Sequence, residues 1–166
     1  MKNIMAEKQH TYRVNVRWTG NQGSGTESYR GYSRSHEISA QGKSSTLAGS
    51  SDPCFRGDET RWNPEELLLA SLSACHKLWY LGLCAGAGVS VLEYEDAAEG
   101  VMVEEQNGAG QFLSVTLRPR LIVTAESNLQ TACELHHQAH EMCFIARSVN
   151  FEVHCEPVIE STKIKQ

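Results

Sequence analysis

The segment Asn63-Pro64-Glu65-Glu66 and the long apolar run behind it, Leu67 to Cys84, constrain this chain more than any other part of it. Asn is a preferred N-cap, Pro is pre-organised for the first helical position, carboxylates in the first turn favour the positive end of the helix dipole, and Glu66 stands where a capping box places its acid. A helix therefore starts at residue 64, and Gly86 and Gly88 end it. Between those limits apolar residues fall on nearly every side, so the helix is expected to be central and buried rather than to lie on the surface. The rest of the chain has to supply the cover.

The chain has 166 residues, 40% of them hydrophobic, which is enough for one domain and short for two. We read a single domain over residues 1–166, with an N-terminal β-region over about 10–62. Tyr12 to Trp18 alternates apolar and polar residues at period two, the pattern of a half-buried strand, and a weaker strand covers His36 to Ala40. The stretch Gly42 to Asp58, rich in Gly, Ser, Asp and Pro, reads as a loop. After the helix over about 64–86, a meander over about 89–124 comprises strands at Val89 to Glu95, Ala97 to Glu104 and Phe112 to Thr124, with a tight connection at Gln106 to Gly110. A second helical region follows over about 127–148, its helix running from Ser127 to Glu141 with Leu129, Ala132, Cys133, His136 and Ala139 or His140 at helical spacing, and a final strand covers about 150–158. Strands, helix, strands, helix, strand with short connections describe an α+β domain.

A net charge of −5 without a cluster of Lys and Arg gives no footprint for nucleic acid or an anionic membrane. The N-terminal MKNIMAEKQH has no apolar core of an export signal, and Leu67 to Val89 is interrupted by Ser71, Ser73, His76 and Lys77, so a cytoplasmic protein that does not span a membrane is expected. In that setting six cysteines, Cys54, Cys75, Cys84, Cys133, Cys143 and Cys155, do not make a structural disulfide framework. No CxxC pair supports a zinc knuckle or a thioredoxin-like motif.

NPEELLLASLSAC, from Asn63 to Cys75, resembles the NPEEL signature and downstream cysteine of the OsmC/Ohr family of hydroperoxide reductases, and Cys143 falls where that family places its second cysteine. The order of elements resembles the family along almost the whole chain. The resemblance implies an OsmC-like fold of antiparallel sheets wrapped around two central helices in an intertwined homodimer. It implies a thiol-dependent peroxidase that reduces organic hydroperoxides, or hydrogen peroxide, through a Cys75 sulfenic acid and a Cys75–Cys143 disulfide, recycled by a dithiol of the lipoyl type. A glutamate matching Glu65 and an arginine of the β-region complete such a site. Arg34 in YSRSHEIS is the better match for the arginine, and Arg30 in SYRGY the next.

Only the thiolate attacks a peroxide O–O bond usefully, and the sulfenic acid formed condenses with a second thiol. The dipole of its own helix cannot activate Cys75, which lies about ten residues beyond the helix start, whereas dipole effects fade within the first turn. A cation must come from elsewhere. Ten residues at ~1.5 Å rise also put Glu65 roughly 15 Å from Cys75 on one helix. If Glu65 orients the arginine over a thiolate, it serves the partner subunit's cysteine, and the sites are composite.

Several plainer readings compete. A cysteine on an apolar helix is usually a small buried hydrophobe, and Cys54, Cys84, Cys133 and Cys155 are assigned to packing. Glu65 also reads as an ordinary first-turn charge. Cys133, His136 and His140 share one face of the second helix, with His137 and His154 as further candidate ligands, but three ligands from one helix need a fourth group and a dry pocket, so no metal and no cofactor is assigned. Trp79, one turn past Cys75, reads as core or as the wall of an apolar pocket beside the thiol. His76-Lys77 depart from the apolar residues common after the family's cysteine, as Phe144-Ile145 depart from Pro and Val; either basic residue is a candidate for depressing the thiol pKa. The alternative function is an apolar-ligand-binding or redox-sensing module of the same fold that turns over no peroxide.

Overall fold

The computed structural model describes residues 8–162, which group into two compact units divided within the first long helix, at Glu66 and Leu67. The N-terminal unit holds a three-stranded antiparallel sheet of β1 (Asn15–Trp18), β2 (His36–Ser39) and β3 (Leu47–Gly49), in that order. The alternating Tyr12 to Trp18 segment contributes only its second half to β1. β3 was not foreseen: three residues in a Gly- and Ser-rich stretch carry no periodicity, and pairing with β2 is what makes them a strand. Downstream, Gly57 takes the position where a β-carbon would collide with the carbonyl oxygen of Ser51, so no other residue fits that turn.

The helix α1 spans Pro64–Ala87. Its start is the reciprocal box read from the sequence: Glu66 N–H donates to Asn63 Oδ1 at 2.8 Å, and Asn63 N–H donates to Glu66 Oε2 at 3.2 Å. Asn63→Ala removes an acceptor at a buried N-cap and is expected to cost about 1 kcal/mol, read as a lowered denaturation midpoint with an unchanged m-value; a loss below ~0.3 kcal/mol would mean that the cap is idle.

The C-terminal unit is built on a long hairpin. β4 (Val91–Asp96) pairs antiparallel with β7 (Pro119–Val123), and β5 (Glu99–Glu104) pairs antiparallel with β6 (Gly110–Leu117). The expected three-stranded meander is thus corrected to two broken legs that pair with one another. Pro119, which has no N–H to give the ladder, divides the return leg, and Asp96 Oδ1 accepts from Arg118 N–H at 2.7 Å across the gap. Pro157 likewise divides the expected final strand into β8 (Glu152–Cys155) and β9 (Val158–Ser161). These two pair parallel with β6 and β7, so the sheets are mixed and not purely antiparallel.

The helix α2 spans Leu129–Met142, capped by Asn128, whose Oδ1 accepts from Thr131 N–H at 2.9 Å. Ser127, expected as its first residue, instead accepts from Ser90 N–H. One core cluster joins Tyr80 and Cys84 of α1 to Leu121 and Val123 of β7 and to Ala132, Leu135 and Ala139 of α2. A second gathers Leu72, Val115 and Leu117. The burial of α1 corrects the sequence reading: in the single chain only Leu72, His76, Tyr80 and Cys84, a stripe at every fourth residue, are buried, while Leu78 is 67% exposed. Strands β6 and β7 and the helix α2 cover that stripe, Leu69, Trp79, Leu81 and Leu83 beside it are partly buried, and the other apolar positions of α1 are incompletely covered among the described residues. By length and composition alone α1 could also cross a membrane.

Candidate functional site

Cys75 sits in the fourth turn of α1, half-buried, and Cys143 is the C-cap of α2, fully buried; both are free thiols. Although 68 positions separate them, Cys75 lies close enough to Cys143 to raise the proton affinity of its thiol. The arrangement follows from the caps: α2 ends at Cys143, which leaves helical geometry at φ −69° and ψ 110°, and the chain then turns into a short 3-10 segment at Ala146–Ser148. Cys143 Sγ accepts from Ala146 N–H at 3.4 Å.

Burial pushes the Cys143 thiol up to about 11, and the neighbouring Cys75 adds to it, while the backbone N–H groups of Ala146 and Ile145 pull the other way. Cys143 therefore stays a thiol at neutral pH. Trp79 and Phe144, from α1 and from the segment after α2, meet edge to face with ring centroids 5.6 Å apart, and Trp79 packs against the core cluster of Tyr80 and Cys84.

Within the N-terminal unit, Arg34 lies between two tyrosines, its guanidinium carbon 4.2 Å from the ring centres of both Tyr29 and Tyr32. It donates to the carbonyl oxygens of Tyr32 (2.7 Å) and Tyr29 (2.8 Å). Such a cage fixes a cation in place. Glu65 is a half-buried first-turn residue of α1. Cys75 and Cys143 are the two predicted site residues brought together within one unit.

His76 does not serve Cys75 as a cation. It belongs to the buried stripe, where its Nε2 lies 3.0 Å from His136 Nδ1 and 3.6 Å from Cys155 Sγ; His136 Nδ1 lies 3.8 Å from the same sulfur. Burial lowers His76 to about 4, against the opposing charge of Asp96, and lowers His136 to about 3. Both imidazoles are neutral at pH 7. Burial also raises the Cys155 thiol to about 12. The helical face Cys133, His136 and His140 does not act as one set, since only His136 of the three enters this cluster. His136 and Cys155 were missed as partners of His76 because they come from α1, α2 and β8, and no local spacing links those elements. The available signal was a histidine at the i+4 position of the stripe Leu72, His76, Tyr80, Cys84.

The family described as OsmC-like protein matches residues 57–157. Among solved structures, an OsmC-like protein of unknown function from Vibrio cholerae is 32% identical, with a TM-score of 0.80 over 90% of this chain and 100% of that one. An organic hydroperoxide resistance protein OsmC from Legionella pneumophila shares 15% identity, with a TM-score of 0.66 over 93% of this chain and 99% of that one. An organic hydroperoxide resistance protein from Bacillus subtilis shares 18%, with a TM-score of 0.64 over 90% and 98%. No curated protein matches the chain.

Proposed function

Because the chain belongs to the OsmC-like family, we propose that it is a cytoplasmic thiol-dependent peroxidase acting on organic hydroperoxides, with Cys75 as the attacking thiol and Cys143 as the resolving one. The observation that carries this reading is the proximity of two cysteines 68 residues apart, close enough for Cys75 to act on the Cys143 thiol. Burial supports this division of roles. The half-buried Cys75 is the one a substrate can reach, and Cys143, kept protonated in the interior, waits for an electrophile.

The Cys75 thiolate attacks one oxygen of the hydroperoxide, the O–O bond breaks, and the leaving alkoxide takes a proton to become an alcohol. Cys75 is now a sulfenic acid. The Cys143 sulfur attacks Cys75 sulfur, hydroxide leaves and takes the thiol proton, and water and a Cys75–Cys143 disulfide result. A dithiol of the lipoyl type returns both cysteines to thiols by exchange.

Arg34, with Arg30 as its substitute, supplies the cation for the Cys75 thiolate, and Glu65 of a second copy orients it. This assigns the incompletely covered faces of α1 to a homodimer. Apolar surface such as the exposed Leu78 is costly in water and finds its cover in an identical chain.

The test treats reduced protein with one equivalent of cumene hydroperoxide or of hydrogen peroxide, followed by native and peptide-level mass spectrometry. The expected result is a dimer in which an intrasubunit Cys75–Cys143 disulfide forms, faster with the organic substrate. Thiols that stay reduced, or slow oxidation scattered over Cys54 and Cys133, would leave an apolar-ligand-binding module as the better account. A stable monomer would remove the role of Glu65.

A further inference from the structure

The cluster of His76, His136 and Cys155 lies apart from the chemistry assigned to Cys75 and Cys143. Three elements, α1, α2 and β8, each send one soft or borderline donor to a common point. The imidazoles are 1% and 3% exposed. Such residues are costly in a core: His76 Nδ1 and His136 Nε2 are buried without a hydrogen-bond partner, where aliphatic side chains would pack with no orphaned polar atom. The pair needs a role beyond packing.

We propose that His76 Nε2, His136 Nδ1 and Cys155 Sγ form a binding site for a borderline-soft divalent transition-metal ion of the zinc class.

The dimensions fit. For tetrahedral zinc, bonds of about 2.0–2.1 Å to nitrogen and about 2.3 Å to sulfur place two nitrogens roughly 3.3 Å apart and nitrogen and sulfur roughly 3.6 Å apart. The observed separations are 3.0, 3.6 and 3.8 Å. Without an ion the two imidazole rings lie within 5° of parallel and share one proton between their facing nitrogens. Metal uptake moves that proton to an outer nitrogen, opens the pair by about 0.3 Å and turns the rings toward the ion. The Cys155 thiol releases one proton to solvent as its sulfur becomes a ligand.

The surroundings favour a cation. The Asp96 carboxylate, whose charge acts on His76, is held in place by Ser73 Oγ–H at 2.5 Å and Arg118 N–H at 2.7 Å. Tyr80 stacks on His136 at 3.8 Å and fixes its ring, and Tyr80 O–H donates to Ala132 O. A cavity of about 240 Å³ adjoins the cluster, lined by His136 and Cys155 and also by Cys133, His137 and His140. These last three are ligand-type residues around that cavity, and the fourth coordination position falls to water. Two imidazoles and a thiolate exclude magnesium and calcium, which take oxygen donors. The sequence reading assigned no metal because it sought ligands on one helix. The site draws one from each of three elements.

The test uses untagged, chelator-stripped dimer or monomer as purified, with Co²⁺ as the spectroscopic probe and Zn²⁺ as competitor. One Co²⁺ per chain is expected, with a sulfur-to-cobalt charge-transfer band and the strong visible bands of a tetrahedral site. Cys155→Ser should remove the charge-transfer band, and His136→Gln should weaken binding more than ~100-fold, since losing even an outer-shell partner commonly costs 10–100-fold. Cys75→Ser and Cys133→Ser should keep the band, which separates this site from the peroxidase pair and from a surface thiol. If Cys155→Ser does not fold, the wild-type chain still decides: excess Zn²⁺ must raise its melting temperature by mass action. No band, a band that survives Cys155→Ser, or no thermal shift overturns the proposal, and none of these results bears on the peroxidase reading.

Discussion

Cys75→Ser is expected to lower hydroperoxide turnover by a factor of roughly a thousand or more, because a serine hydroxyl has no ionised form at neutral pH comparable with a thiolate. Cys143→Ser behaves differently. Its first turnover proceeds, since the attacking thiol is untouched, and the enzyme then stops at the Cys75 sulfenic acid or overoxidises to the sulfinic acid. Stopped-flow measurement with limiting cumene hydroperoxide, together with dimedone trapping of the sulfenic acid, distinguishes the two variants. Equal loss in both from the first turnover would mean that Cys143 supports the fold of the site and does not resolve. Retained turnover in Cys75→Ser would end the assignment altogether.

In the presence of a chelator, the protein should lose about 3 kcal/mol or more of stability between pH 7 and pH 4 on account of its buried histidines. Burial, first, and the charge of His140 lower His76 from 6.5 to about 4, with Asp96 opposing, while burial and the charges of His76 and His137 lower His136 to about 3. Between those values and 6.5 the unfolded chain takes up protons that the folded one refuses, so stability is present above pH 6.5 and falls as the pH falls toward 4. Counting His76 alone, 2.5 units at about 1.4 kcal/mol each give the figure above. Urea midpoints at pH 7 and pH 4 measure it. The double variant His76→Leu, His136→Phe keeps the apolar shape without the protonation sites and should lose distinctly less than the wild type over the same interval. An equal loss in both would place the acid sensitivity on the carboxylates.

Local chemistry was legible in the sequence wherever a signal and its cause lay within a few residues. The Asn63–Glu66 box at the start of α1, the helix α2, and the β-turn at Gly108 between β5 and β6 are of this kind. So was the family, through NPEEL and Cys75, and with it the candidate role of Cys143. What failed depended on partners. β3 exists because β2 lies beside it, and the hairpin is broken because Pro119 and Pro157 interrupt ladders whose register a reader of the sequence does not know. α1 reads as apolar on all sides, yet a single chain buries one stripe of it.

The site divides along the same line. Cys75 could be named in the sequence because it travels in one continuous motif with the helix that carries it. Its pairing with Cys143 could be named only through the family resemblance, and the gathering of His76, His136 and Cys155 could not, because it brings α1 together with elements 60 or more positions further along the chain. Side-chain periodicity reports which face of an element turns inward, and nothing in it reports what waits there. That was decided only when α1, α2 and the strands closed on a shared core, where exclusion of water set the proton affinities of the buried thiols and imidazoles.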